Sequence, residues 1–277
     1  MNLKAITSDI DGTLINDNEE LTDKTRKILL EAQRKGIKLF LASGRNEPEM
    51  LYYANLLEMG KYGGVLISSN GSFAKNIETG QVYFDMELSI DDSNRILKHL
   101  DKFDIYPMIF IEDKLYCKNI ESRIINREGW EYNIVEYEAS LGNYEIIECE
   151  NLMDIIDRPI KKILTAGNKE YLLEIHDRIS EPLVDDYTCQ FTGDVYFEII
   201  QKGANKGEAM KASLEKMGID PKDTIAFGDH NNDQQMLEYA GLGVAMENAT
   251  DLLKEASDFV GKSNNEDGIY EILKKYI

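Results

Sequence analysis

Within its first 70 residues the chain sets three short, β-rich apolar runs in succession: LKAITS before Asp9, IKLFLA before Ser43 and VLISS before Asn70-Gly71. Between the first two, Leu21, Thr25, Ile28, Leu29 and Ala32 recur at helical spacing and stop before Gly36, a natural helix end. Apolar strands separated by amphipathic crossover helices are the pattern of βαβ units and a parallel sheet. A fold of this kind presents its ligands at the carboxyl ends of the strands, so the residues that follow each run carry the functional question.

The texture changes after Asn70-Gly71. QVYFDMEL, IYPMIFI and KLYCK read as strands with the helix IDDSNRILKHLDKF among them, and PIKKILTAG, KEYLLEIHDRIS, YTCQFTG and VYFEII continue the mixed pattern. From Lys206 the βαβ texture returns, with KGEAMKASLEKM and DQQMLEYA as helices and TIAF and LGVAM as strands. The expected architecture is therefore α/β: a doubly wound, Rossmann-like parallel-sheet core from residues 1–80 and 190–277, interrupted by an inserted α+β cap domain over 81–189.

Composition limits the partners. The 277 residues carry 51 acidic against 31 basic side chains, a formal charge of -20. The resulting field repels polyphosphate backbones and anionic lipid, which excludes nucleic acid and membrane surfaces as expected partners. It also repels a small phosphate ester, so a phosphate-handling site in this chain must supply local cations. Three cysteines stand far apart without metal spacing, and no apolar run approaches the roughly 20 residues a bilayer demands. With no signal-like segment at MNLKAITSD, a reducing cytoplasm is the expected compartment.

Four groups of residues stand where such a fold exposes chemistry. Asp9-Ile10-Asp11-Gly12-Thr13 follows the first strand, and its two carboxylates point the same way, although a DxD pair also arises on any acidic turn. Ser43-Gly44-Arg45 follows the second and offers a hydroxyl, a backbone amide and a guanidinium to phosphate oxygens; a helix cap would use the same serine. Lys206 opens a helix, where its ammonium joins a positive dipole end. Gly228-Asp229-His230-Asn231-Asn232-Asp233 follows TIAF with hard oxygen ligands of the kind magnesium prefers, in a pattern that also caps helices. Taken singly each has a structural explanation; all four at strand ends or helix starts, in this order, point to one phosphate site.

Together SDIDGTL, SGR, the lysine of NKG and GDHNND resemble the motifs of the haloacid dehalogenase-like hydrolases, and within them the Cof-type phosphatases with a type IIB cap. SSNG, ENA and NEDGI resemble that family's connecting loops, with Glu247 standing where a glycine is usual. The resemblance implies an aspartyl-phosphate phosphatase of small phosphorylated metabolites that requires Mg2+. Asp9 would be the nucleophile and Asp11 the general acid and base. The metal would be held by Asp9, the Asp11 backbone carbonyl and Asp229, with Asp233 behind them. Ile10, Ser43, Gly44, Lys206 and Asn232 would hold the phosphoryl oxygens, with Arg45 near the substrate. A phosphomutase of the same superfamily is the nearest rival. A receiver-like phospho-Asp signalling module is the second, at about half this length and without a cap. Neither the substrate nor the oligomeric state is written in the sequence.

Overall fold

The computed structural model describes residues 2–127 and 129–277. In chain order its strands are β1 (Ala5–Ser8), β2 (Lys38–Ala42), β3 (Val65–Ser68), β4 (Phe73–Asn76), β5 (Val82–Asp85), β6 (Tyr106–Ile111), β7 (Lys114–Cys117), β8 (Ile124–Arg127), β9 (Trp130–Asn133), β10 (Glu145–Glu148), β11 (Ile163–Ala166), β12 (Tyr187–Gly193), β13 (Tyr196–Gln201), β14 (Thr224–Gly228), β15 (Leu242–Ala245) and β16 (Phe259–Val260). They divide between two compact units, Met1–Asp85 with Asn205–Ile277, and Met86–Ala204.

The first unit is built on an eight-stranded sheet in the order β16-β15-β14-β1-β2-β3-β4-β5. The pairings from β16 to β3 are parallel, and β4 and β5 add an antiparallel edge. Because successive side chains point to opposite faces, the sheet sorts its own strands between two cores. Ile6, Leu39, Leu41, Phe227 and Val244 pack on one side with Ile28 and Leu29 of the helix Asp23–Arg34, Met50 of Glu47–Leu56 and Ile272 of Gly268–Leu273. Ala5, Phe40, Ala42, Ala226 and Ala245 pack on the other with Met210 of Lys206–Met217, Leu237 of Gln234–Tyr239 and Leu253 of Asp251–Ala256. Helices on both faces make the unit doubly wound. The chain runs from β1 outward to β3 and later returns to place β14 on the other side of β1, so the order of strands reverses at β1 and β14, where ligands bind in folds of this type.

The second unit carries a six-stranded mixed sheet, β10-β7-β6-β11-β13-β12, and the separate hairpin β8-β9. One core packs Ile109, Ile163, Phe197 and Ile199 against Ile96 of the helix Ile90–Leu100 and Ile175 of Lys169–Ser180. Another joins Met108 and Leu164 to Val135 and Ala139 of Ile134–Gly142.

Both crossings between units differ from the sequence expectation. The run QVYFDMEL, read there as the start of the insertion, supplies β5 to the core sheet, because Tyr83 packs with Ala74 in the core. Residues 190–204, assigned to the core, lie in the second unit, because Phe197 and Ile199 of β13 pack in its interior and β13 pairs with β11 and β12. Among the described residues, no helix is long and apolar enough to cross a membrane.

Candidate active site at the carboxyl ends of β1, β2, β3 and β14

Four neighbouring strands end side by side, and each hands over to one of the polar loops. β1 delivers Asp9, β2 delivers Ser43, β3 delivers Ser69 and Asn70, and β14 delivers Asp229. After Asp9 the chain makes a tight turn over Ile10–Leu14, in which Gly12 adopts a positive φ of 77°. No larger residue fits there, since a Cβ on Gly12 would lie 2.4 Å from the Asp229 carboxylate. Gly71, at φ 88°, lets the loop after β3 press onto the start of the helix at Lys206, where a Cβ would lie 2.1 Å from the Asn205 carbonyl carbon. The helix itself begins there because Asn205 caps it by accepting from the Glu208 amide at 2.8 Å.

Lys206 is the centre of the charge arrangement. Its side chain is 2% exposed, and its ammonium donates to Asp9 Oδ1 and to Asp233 Oδ1, each at 2.6 Å. The other oxygen of Asp233 accepts the backbone amides of Asp229 and His230 at 3.0 and 3.1 Å, so this fully buried carboxylate has both oxygens engaged. Asp229 takes the Thr13 hydroxyl at 2.8 Å. Asp9, Asp229 and Asp233 each bring a carboxylate oxygen to within 4.8 Å of the others.

Three carboxylates thus surround one ammonium in a sheltered place, and the titration of Asp9, Asp229 and Lys206 reflects it. Burial, opposed by Lys206 and reinforced by Asp233, Asp229 and Asp11, pushes the Asp9 carboxyl well above its ordinary range. Burial and the neighbouring Asp233 push Asp229 up to about 6 against the pull of Thr13 and Lys206. Burial alone would lower Lys206, but Asp233 and Asp9 outweigh it and keep the ammonium charged. An excess of hard oxygen donors over positive charge is the chemistry of a divalent-cation site, and magnesium fits it.

The other expected residues surround this cluster. Asp11 is half-exposed, and both its oxygens are gripped by Arg45, at 2.9 Å from Nε and 2.7 Å from a terminal nitrogen. Arg45 lies over the Tyr53 ring, 5.6 Å from its centre. Ser43 is buried, with its hydroxyl accepting from the Arg45 amide at 3.1 Å. Gly44 brings its backbone against the Asn70 side chain, which a Cβ would meet at 3.0 Å. Ile10 is fully buried. Asn232 donates to the Asn70 carboxamide at 2.8 Å, leaving its own buried oxygen without a hydrogen bond. His230 is exposed, and its backbone meets Asp233 twice: its amide donates to the carboxylate and its carbonyl accepts the Asp233 amide at 2.9 Å.

Three functional neighbours escape the sequence reading. Thr13 orients Asp229, Asn70 stands between Gly44 and Asn232, and Asn248 donates to the Gly12 carbonyl at 2.8 Å. SSNG and ENA flag the last two loops, but nothing in the residue spacing assigns their side chains.

Comparison with known proteins settles the family. The profile of the haloacid dehalogenase-like hydrolases matches residues 6–273. This chain belongs to that family. The hydrolase is 32% identical over 276 residues to YkrA of Bacillus subtilis (strain 168), which carries a provisional phosphatase designation, covering 99% of this chain and 98% of that one. Its fold matches a haloacid dehalogenase-like hydrolase from Bacteroides thetaiotaomicron with a TM-score of 0.88 at 27% identity, covering 99% and 100% of the two chains. A sugar phosphatase of subclass IIB shares the fold with a TM-score of 0.77 at 22% identity, over 99% and 98%. The chain is a Cof-type phosphatase with an α/β core and an inserted α+β cap.

Proposed function

We propose that this phosphatase hydrolyses small phosphorylated metabolites, such as sugar phosphates, by way of a phosphoryl group carried on Asp9. The observation that carries the reading is Lys206: a buried cation bridges Asp9 and Asp233 with the Asp229 carboxylate close by, and it places positive charge beside the carboxylate that would meet phosphorus. Asp9 forms the new bond to phosphorus as the bond to the leaving oxygen breaks, and Asp11 gives that oxygen its proton. Water then attacks the acyl phosphate and loses a proton to Asp11, so phosphate leaves and both aspartates return to their starting state. For this, one Asp11 oxygen must leave Arg45, which places Arg45 where it can follow the substrate's oxygens.

The Ser43 hydroxyl, the Ile10 and Gly44 amides, Lys206 and Asn232 are assigned to the phosphoryl oxygens. Asn232 serves with its amide nitrogen turned toward the phosphate; the half turn that exchanges the nitrogen for the unpaired oxygen requires the Asn70 carboxamide to turn with it, so that an N–H again faces an oxygen. Mg2+ is assigned to the Asp9 carboxylate, the Asp11 carbonyl and Asp229, with Asp233 held back by its engaged oxygens. When bound, it supplies the positive charge that lets a phosphate dianion approach these carboxylates. The -20 net charge and the absence of a basic motif favour a small ester over nucleic acid, and the three free thiols suit a reducing cytoplasm.

Purified protein assayed against a panel of phosphorylated metabolites should release phosphate with magnesium and lose that activity in EDTA, recovering it on readdition. Full activity in EDTA after dialysis would overturn the metal assignment.

A further inference from the structure

The turn that carries Asp11 is anchored from outside the motifs. Asp11 is followed by Gly12, which lacks a Cβ and whose backbone is therefore intrinsically freer than that of other residue types. Asn248, exposed in the loop after β15, holds this point: its amide nitrogen donates to the Gly12 carbonyl at 2.8 Å, and its oxygen accepts the Asn264 amide at 3.1 Å. A carbonyl requires a donor and an N–H requires an acceptor, so the two partners fix the orientation of the Asn248 carboxamide. Asn264 is buried and reaches the same turn again, donating from its side chain to the Ile15 carbonyl and to Asp17, both at 3.0 Å. Two loops distant in sequence therefore grip the Asp11 turn at Gly12 and at Ile15. The adjoining Thr250 amide donates to the Asp229 carbonyl at 3.0 Å, so the Asn248 loop also touches the opposite wall of the site.

We infer that Asn248 is a positioning residue for general acid and base catalysis: its hydrogen bond to the Gly12 carbonyl holds the turn that aims Asp11 at the leaving oxygen. The inference rests on the proposed role of Asp11. Asn248 itself touches neither the reacting atoms nor the phosphoryl group, and its effect reaches them through the backbone. A displacement of the acid by about 1 Å costs on the order of a hundredfold in rate.

The two halves of the carboxamide can be separated. Asn248→Asp keeps the shape and the acceptor for Asn264 but replaces the donor with an oxygen facing the Gly12 carbonyl; Asn248→Ala loses both. If Asn248 positions Asp11, Asn248→Asp should lower turnover of an alkyl phosphate about a hundredfold and Asn248→Ala about tenfold. Melting temperatures should stay near wild type, because the residue is exposed. The loss should be much smaller with p-nitrophenyl phosphate, whose leaving group needs little protonation, so the ratio of the two turnovers rises about tenfold in Asn248→Asp. A purely structural role would instead lower the melting temperature most in Asn248→Ala and leave that ratio unchanged. Wild-type turnover in Asn248→Asp, or an equal loss with both esters, would overturn the inference. Asp9→Asn, assayed beside them, separates the two levels: retained turnover there would sink the reaction scheme itself, whereas an inactive Asp9→Asn beside a wild-type Asn248→Asp would sink only the positioning role.

Discussion

Each unit of this phosphatase buries a lysine, and the two are buried for different ends. In the insertion, Lys162 meets Glu198 at 3.1 Å, with side chains 5% and 1% exposed, beneath the Phe110 ring. Lys162, just before β11, faces Glu198 of the adjoining β13, as expected of a pair that serves the sheet. In the core, Lys206 faces Asp9 and Asp233 with Asp229 close by, and the negative charge exceeds what one ammonium neutralises. Burying unbalanced charge costs free energy that folding alone has no reason to spend. The difference teaches that burial of a charge does not mark a site, whereas burial of a charge with its balance left incomplete does.

Removing the two lysines should give opposite phenotypes. Lys206→Ala should lower the turnover of the folded fraction about a thousandfold, the scale of losing one preorganised charge at a phosphoryl transition state. Lys162→Ala should cost about 3–5 kcal/mol of stability, because the buried pair with Glu198 loses its cation, while the folded fraction still turns over p-nitrophenyl phosphate. Replacing both partners, Lys162→Met with Glu198→Leu, should recover most of that loss in a denaturant titration. Unchanged turnover in Lys206→Ala would reduce it to an ordinary buried ion pair and erase the contrast.

The incomplete balance should also be visible as a pH dependence of the metal-free protein. The ordinary Asp value is 3.8 and that of folded Asp229 is about 6, so the folded state holds this proton more tightly than the unfolded chain. Its contribution is fully present below pH 4 and is lost as pH rises through about 6, a loss on the order of 3 kcal/mol. In EDTA, thermal melts should fall over that window, and Asp229→Asn should lessen the fall, leaving the part that belongs to the raised Asp9 carboxyl. Magnesium at neutral pH should raise the melting temperature of the wild type and leave Asp229→Asn unmoved. Equal responses in both proteins would contradict the assignment of Asp229 to the metal.

Legibility from sequence also differs between the units. In the core the central strands β1, β2, β3 and β14 are buried on both faces, so their apolar runs stand out, and each of them ends at a polar motif; LKAITS, IKLFLA and TIAF correspond closely to β1, β2 and β14. In the insertion, the segment 119–158 escaped the reading. Its hairpin β8-β9 leaves Ile124 and Trp130 exposed, and β10 reads EIIE with both glutamates exposed, so neither gives a strong period. β4 was missed because FAKN is short and half polar. At the site, motif order shows which strand ends matter. It does not show that Arg45 grips Asp11 or that Asn248 holds Gly12, because those contacts join residues 34 and 236 positions apart.

The central claim is that Asp9 carries the phosphoryl group while Asp11 moves protons, and rapid mixing of Asp11→Asn with p-nitrophenyl phosphate tests it most directly. This leaving group departs with little protonation, so transfer to Asp9 should outpace hydrolysis, which still needs a base. The account predicts a nitrophenol burst approaching one equivalent per enzyme in Asp11→Asn and none in Asp9→Ala. A burst in Asp9→Ala, or no burst in Asp11→Asn with metal binding intact, would contradict it.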